Sequence, residues 1–227
     1  MLVEIPDVLT TAELAEVRRI IDAADLVDGR ETAGELAAQA KRNLQLPQEG
    51  QAARDAGEII LRALGRNALF NSVALPFRVL PPLFNRYEVG MAFDAHVDGA
   101  VRAMPWGGPR MRADVSSTLF LTDPDDYDGG ELLIEHAYGT SSVKLPAGSM
   151  IVYPAGSLHR VKPVTRGART SAFFWTQSML KDDGLRALLY DLDMAIIEVR
   201  QQLGRDTHGT LSLTGVYNNL LRRAIEL

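Results

Sequence analysis

Ser149-Met-Ile-Val-Tyr153-Pro154-Ala155-Gly156-Ser-Leu-His159-Arg160-Val161 is the stretch that decides how the middle of this chain folds. Ser149–Tyr153 is a short apolar run. Pro154-Ala155-Gly156 ends it with turn chemistry, and a new run opens at Arg160–Val164. The same texture extends in both directions. Phe77–Leu80, Leu83–Val89, Ala92–Val97, Val115–Leu121, Glu131–Ile134, Ser142–Leu145 and Arg169–Thr176 are short and rich in Val, Ile, Phe and Tyr. Asp123-Pro124-Asp125, Asp128-Gly129-Gly130 and Pro146-Ala147-Gly148 punctuate them. Many short strands with regular turn signals predict a β-sandwich or barrel.

Helical patterns flank this region. Thr10 and Glu13 have capping-box spacing, and Leu14, Val17 and Ile21 recur at helical intervals, so a helix is expected over 10–24. Residues 33–46 are Ala- and Gln-rich and ambiguous. A second helix is expected over 51–70, with Ile60, Leu64 and Ala68 on one face and Asn67 or Asn71 marking its end. After Met179, Leu185, Leu188, Leu189, Leu192, Ile196 and Val199 trace a helix that stops near Gly204, and residues 213–226 read as one more. The order is helices, β core, helices, an α+β arrangement. It divides into N-terminal helical support (1–76), the core (77–178) and a C-terminal helical domain (179–227).

At 227 residues, with 46% hydrophobic and 23% charged, the chain is long enough for a packed core and ordinary for a globular protein. Its net charge of −5 argues against sequence-independent nucleic-acid binding, which needs a basic field. No run approaches the roughly 20 apolar residues that span a bilayer, and MLVEIPDVLT does not read as a signal peptide. No membrane association and a cytoplasmic location are therefore expected. Cysteine is absent, which removes disulfides, thiolate metal sites and cysteine nucleophiles. The histidines are His96, His136, His159 and His208. His136 reads as a surface loop residue, and His208 lies in a polar link with no site signal.

Ala95-His96-Val97-Asp98-Gly99 is where chemistry concentrates. On a strand, residues i and i+2 share a face, so His96 and Asp98 can aim at one point. His159 follows 61 residues after Asp98. Two histidines and one carboxylate occupy one face of an octahedron and leave three positions open, the facial triad of non-heme iron(II) oxygenases. Ten residues past His159, Arg169 opens a strand. A buried guanidinium needs a partner, and the carboxylate of a 2-oxo acid would provide a bidentate one. From local sequence alone, Asp98 competes as a turn residue before Gly99, and Arg169 as a surface salt-bridge residue.

The region resembles the iron(II)/2-oxoglutarate dioxygenases. The prolyl-4-hydroxylase branch carries Tyr-x-x-Gly-x-x-Tyr-x-x-His-x-Asp, matched here by Tyr87, Gly90, Phe93, His96 and Asp98, with Phe93 departing from the pattern. Pro82–Tyr87, His96–Ala100, Asp128–Leu132, Lys144–Gly148 and Trp175–Met179 resemble the bacterial PKHD-type hydroxylases, a similarity that runs from end to end. The resemblance implies a double-stranded β-helix (jelly-roll) core, iron(II) as metal, 2-oxoglutarate as co-substrate and L-ascorbate as reductant. It implies His96, Asp98 and His159 as metal ligands and Arg169 as the 2-oxoglutarate anchor. It also places Tyr87 as a co-substrate contact, against a bland reading as core packing.

The implied reaction is dioxygen-dependent hydroxylation of a C–H bond in a small-molecule or peptidyl substrate: a prolyl, lysyl or related amino-acid-derived group, with a free amino acid, a short peptide or an iron-chelating metabolite equally compatible. Asp98 favours hydroxylation over halogenation, which would need a small residue there. The alternatives are a non-catalytic metal or 2-oxoglutarate sensor on the same scaffold, and a cupin-like protein holding zinc or manganese. Gly99–Asp114 is long and Gly/Pro-rich. It reads either as a lid, with Arg102 and Trp106 touching substrate, or as a disordered connector. The C-terminal helices must bury an apolar stripe, either on the helices of 10–70 or in a homo-oligomer.

Overall fold

The computed structural model describes residues 1–32, 41–105 and 107–225. Two antiparallel sheets dominate it. The larger runs in the order Val3–Ile5, Met150–Pro154, Val115–Phe120, Arg169–Ser178, Leu83–Tyr87, Leu44–Gln45 and Val27–Asp28, with Pro76–Val79 also paired to Arg169–Ser178. The smaller runs Gly139–Val143, Leu132–His136, His159–Val161, Ala92–His96 and Lys41–Arg42. Each predicted strand run overlaps a strand, with ends shifted by up to three residues; Arg160–Val164 divides into His159–Val161 and Val164–Arg166. Segment 1–76, read as helical support, also supplies strands to both sheets. Those strands are two or three residues long, too short to show alternation.

The first helix spans Thr11–Asp22, and Thr10 forms the expected capping box with Glu13. The second stops at Arg66 rather than near residue 70. Asn67 leaves helical backbone, and its Oδ1 accepts from Phe70 N at 2.8 Å, starting a separate helix, Ala68–Ala74. These helices lie on the larger sheet, burying Val17, Ile21, Ile60, Leu64 and Phe70 against Phe84, Leu119, Ala172 and Phe174. A second cluster, Phe120, Leu132, Ile134, Ile151 and Val161, draws on both sheets. Each such aliphatic side chain contributes roughly 1.5–3 kcal/mol by leaving water. The part of the ambiguous 33–46 tract at 33–40 lies outside the described residues.

Asp183–Leu203 is the next helix, and it ends at left-handed Gly204. The last begins at His208, five residues before the expected start, because Thr207 caps it by accepting from Thr210 N. His208 therefore opens a helix rather than lying in a link. Leu180 and Leu189 bury against Leu75, with Tyr217 and Leu221 of the last helix beside them. Ser72 Oγ also donates to Asp193 Oδ2 at 2.6 Å. Part of the C-terminal apolar stripe thus packs within the chain, while Leu188, Leu203, Leu211 and Val216 stay exposed. Among the described residues, no helix is long and apolar enough to cross a membrane.

A candidate metal centre in a cavity between the sheets

Cross-strand register brings the two distant histidines together. His96 and His159 are direct partners in the pairing of Ala92–His96 with His159–Val161, and their rings are 4.3 Å apart. The Nδ1 atom of His96 lies 2.9 Å from Asp94 O, and that of His159 lies 3.0 Å from Ser157 O. A carbonyl only accepts, so each Nδ1 carries the proton and each Nε2 keeps its lone pair. Burial, followed by the neighbouring His159, lowers the His96 pKa and favours its neutral form.

Asp98 completes the group. The strand ends at His96, so Asp98 reaches the site from just beyond it and the expected strand alternation is not what places it there. Its side chain is 7% exposed. Oδ2 accepts from Ser116 Oγ at 2.6 Å and lies 3.8 Å from His159 Nε2. One potential ligand atom from each of His96, Asp98 and His159 falls within 4.8 Å of the others. The turn-residue reading of Asp98 does not account for this burial.

The three residues line a cavity of about 660 Å³, together with Tyr87, Arg102 and Arg169. Arg169 is 1% exposed, which rules out the surface salt-bridge reading. Its strand turns Arg169, Ser171, Phe173 and Trp175 to the cavity and packs Ala172 into the helical core, which Phe174 also joins while touching the cavity. Arg169 Nη1 donates to Ser171 Oγ at 3.0 Å, and that hydroxyl donates to Asn85 Oδ1 at 2.6 Å. Nε is buried without a hydrogen-bond partner. No carboxylate pairs with Arg169 among the described residues.

Tyr87 lies opposite Arg169 in strand register, with the guanidinium 5.4 Å from its ring centre. Burial raises the Tyr87 pKa, so the group stays a phenol and can donate. Gly130, in left-handed conformation at φ +66°, leaves room beside Arg169: a Cβ there would sit 3.2 Å from Arg169 Cδ.

The described part of the segment after Asp98 is paired rather than a disordered connector. Val101–Ala103 pairs with Arg110–Arg112, and Gly99, Arg102 and Ala103 wall the cavity. Trp106 lies outside the described residues. His136 ends the strand Leu132–His136 rather than lying in a loop, and it is exposed with Nε2 3.0 Å from Ser141 Oγ.

Sequence reasoning missed several wall residues. Lys41 faces the cavity from a two-residue strand. Ser116 and Ser171 hold Asp98 and Arg169 from strands where a serine gives no local signal. Phe93, noted only as a departure from a motif, stacks on His96.

The donor set suits a divalent metal: two imidazoles with fixed tautomers and one buried carboxylate, in a cavity open on one side of them. The orphaned Arg169 Nε suits an organic carboxylate in the same cavity.

Comparison with known proteins supports this chemistry. A model of the 2OG-Fe(II) oxygenase superfamily matches residues 82–177, and a model of the PKHD-type hydroxylase C-terminal domain matches residues 183–226. A PKHD-type hydroxylase of Methylobacterium nodulans is 63% identical over 227 residues, covering 100% of both chains. Another, from Cupriavidus metallidurans, is 61% identical over 228 residues with the same coverage. Among solved structures, a Pseudomonas putida prolyl-4-hydroxylase shares the fold at 22% identity and TM-score 0.51, covering 78% of this chain and 92% of its own. HygX from Streptomyces hygroscopicus, solved with nickel, 2-oxoglutarate and hygromycin B, does so at 15% identity and TM-score 0.54, covering 78% and 82%. The chain belongs to the PKHD-type hydroxylases, a branch of the iron(II)- and 2-oxoglutarate-dependent oxygenases.

Proposed function

We propose that this enzyme hydroxylates an unactivated C–H bond of an amino-acid-derived substrate, prolyl, lysyl or related. The observation that carries this reading is the shared cavity: His96, Asp98 and His159 converge in it, and Arg169 lies in it with no carboxylate partner among the described residues. In the balanced reaction, R–H, dioxygen and 2-oxoglutarate give R–OH, succinate and carbon dioxide. In this reading the two sheets are the halves of a double-stranded β-helix.

His96 Nε2, His159 Nε2 and the Asp98 carboxylate would hold iron(II). When bound, the metal supplies dioxygen activation coupled to decarboxylation of the 2-oxo acid. The chain's own contribution is placement. Ser116 holds one Asp98 oxygen, and the two backbone carbonyls hold the imidazole tautomers. Arg169 receives the far carboxylate of 2-oxoglutarate on a guanidinium already braced by Ser171, and Tyr87 donates from the facing strand. Phe93, Phe173 and Trp175 line the site with apolar surface that keeps water away from the reacting atoms.

L-Ascorbate serves as the reductant that returns the metal to the ferrous state, and the cytoplasm is the working compartment. Leu188, Leu203, Leu211 and Val216 give the C-terminal helices an exposed apolar face on which a second copy would pack. Conversion of 2-oxoglutarate to succinate with iron(II) and oxygen tests the reading, with His159→Ala as the blank. Turnover in the wild type alone is the expected result. Binding of 2-oxoglutarate without any turnover would leave the sensor reading in its place.

A further inference from the structure

The charged side chains lining the cavity are unbalanced. Among the described residues they are Lys41, Arg102 and Arg169 against Asp98. Arg169 has its assignment. Arg102 lies on the hairpin, with its guanidinium carbon 3.6 Å from the centre of the Trp175 ring. Its Nη2 is 3.4 Å from Asp98 Oδ1, long for a charge-assisted bond, and Nε is buried without a partner. The Trp175 indole N–H is also buried with no acceptor. Lys41 Nζ lies 5.7 Å from the Phe93 ring centre and 5.9 Å from that of Phe173. Among the described residues, Arg102 Nε and the Trp175 N–H therefore lack acceptors on this wall, beside aromatic surface.

We propose that the primary substrate is an acid whose carboxylate is seated by Arg102 on the Trp175 indole, with Lys41 adding a second positive charge. The inference rests on the oxygenase reading, in which Arg169 serves the co-substrate. A dianionic co-substrate offsets the charge of a divalent metal, so the unmet donors of Arg102 and Trp175 persist in the loaded enzyme. A carboxylate supplies acceptors to the guanidinium fork, and the rings of Phe93 and Phe173 accept the apolar part of the molecule. Arg102 and Lys41 thus determine specificity without joining in bond breaking.

The test uses protein loaded with manganese(II) and 2-oxoglutarate without oxygen, so that binding is read without turnover. Phenylacetate, phenylacetamide and phenyl phosphate serve as probes in calorimetric titrations. The wild type is expected to bind phenylacetate about tenfold or more tighter than the amide. Arg102→Met and Lys41→Met should reduce that ratio, and Arg102→Lys should restore part of it. In each variant 2-oxoglutarate affinity, titrated separately, should hold, whereas Arg169→Met should lose it. A wild type with no preference for the acid, or an Arg102→Met that keeps the full preference, overturns the proposal. So does tighter binding of phenyl phosphate than of phenylacetate. Loss of 2-oxoglutarate binding in Arg102→Met would assign that residue to the co-substrate instead. Failure of the wild type to bind 2-oxoglutarate at all would sink the oxygenase reading, a separate outcome.

Discussion

The Phe93 ring lies on the His96 imidazole, 3.7 Å between centroids and 23° from parallel. Residues three apart on a regular strand point to opposite faces. Here the pairing shifts register: His159 opposes His96, but Val161 opposes Phe93, so one strand spends three residues where the other spends two. That bulge turns both rings to the cavity. Phe93→Ala should lower manganese(II) affinity about tenfold, within the range seen when outer-shell support of a ligand is removed. Phe93→Tyr, which keeps the ring, should hold it. Metal titration of the two variants checks the difference.

Asp98 owes its orientation to Ser116, whose hydroxyl donates at 2.6 Å. Ser116→Ala should weaken metal binding by about 10–100-fold while leaving the Arg169 side of the cavity unchanged. Unchanged metal affinity would show that the hydroxyl positions nothing.

Arg169 is a buried cation with no carboxylate beside it among the described residues, so its replacement should separate binding from stability. Arg169→Met should weaken 2-oxoglutarate binding by about 2–3 kcal/mol without lowering the unliganded protein's resistance to urea. Gly130→Ala should reduce both. It forces a side chain into left-handed backbone and brings a Cβ to 3.1 Å from the Tyr127 ring and 3.2 Å from Arg169.

Burial, aided by the charge of Arg102, lowers the Lys41 pKa to about 8, with Asp28 opposing. His96 also senses the Lys41 charge. Above about pH 8 the folded protein has released a proton that the unfolded chain holds until about 10.4. Stability from this group therefore rises with pH across that window, and its penalty is full and flat below it. Lys41→Met should out-stabilise the wild type most near neutral pH. Its advantage should shrink by on the order of 1 kcal/mol by about pH 9.5. Urea unfolding of both proteins at two pH values measures it. At still higher pH the raised pKa values of Tyr87 and Tyr153 act in the opposite sense, in both proteins alike.

Metal and 2-oxoglutarate together, each at about 100 times its dissociation constant, should raise the melting temperature by roughly 10–20 °C. His159→Ala should abolish most of that shift, and a chelator should reverse it. Thermal unfolding with and without each component reads the effect.

Much of the architecture was legible in local chemistry. The Thr10–Glu13 spacing fixed a helix start, Gly204 fixed a helix stop, and the Pro- and Gly-bearing turns separated the strands, because caps and turns are satisfied by neighbours in sequence. The second helix ran on to residue 70 in the expectation because Ala68 continues its apolar spacing, whereas the break at Asn67 depends on a side chain choosing to cap Phe70. The short N-terminal strands left no pattern, since two residues cannot display a period of two.

The sequence by itself determined the chemical inventory: which residues could bind a metal, which cation could meet a carboxylate, and where the longer strands and helices lie. Only the tertiary structure decided what meets. His96 faces His159 because two strands 63 residues apart in the chain pair in one register. Phe93 joins them because of a bulge, and Arg102 reaches Trp175 because a hairpin folds back over the cavity. Strand pairing, bulges and hairpin packing are set by the simultaneous burial of distant apolar faces, a long-range condition that no window of neighbouring residues contains.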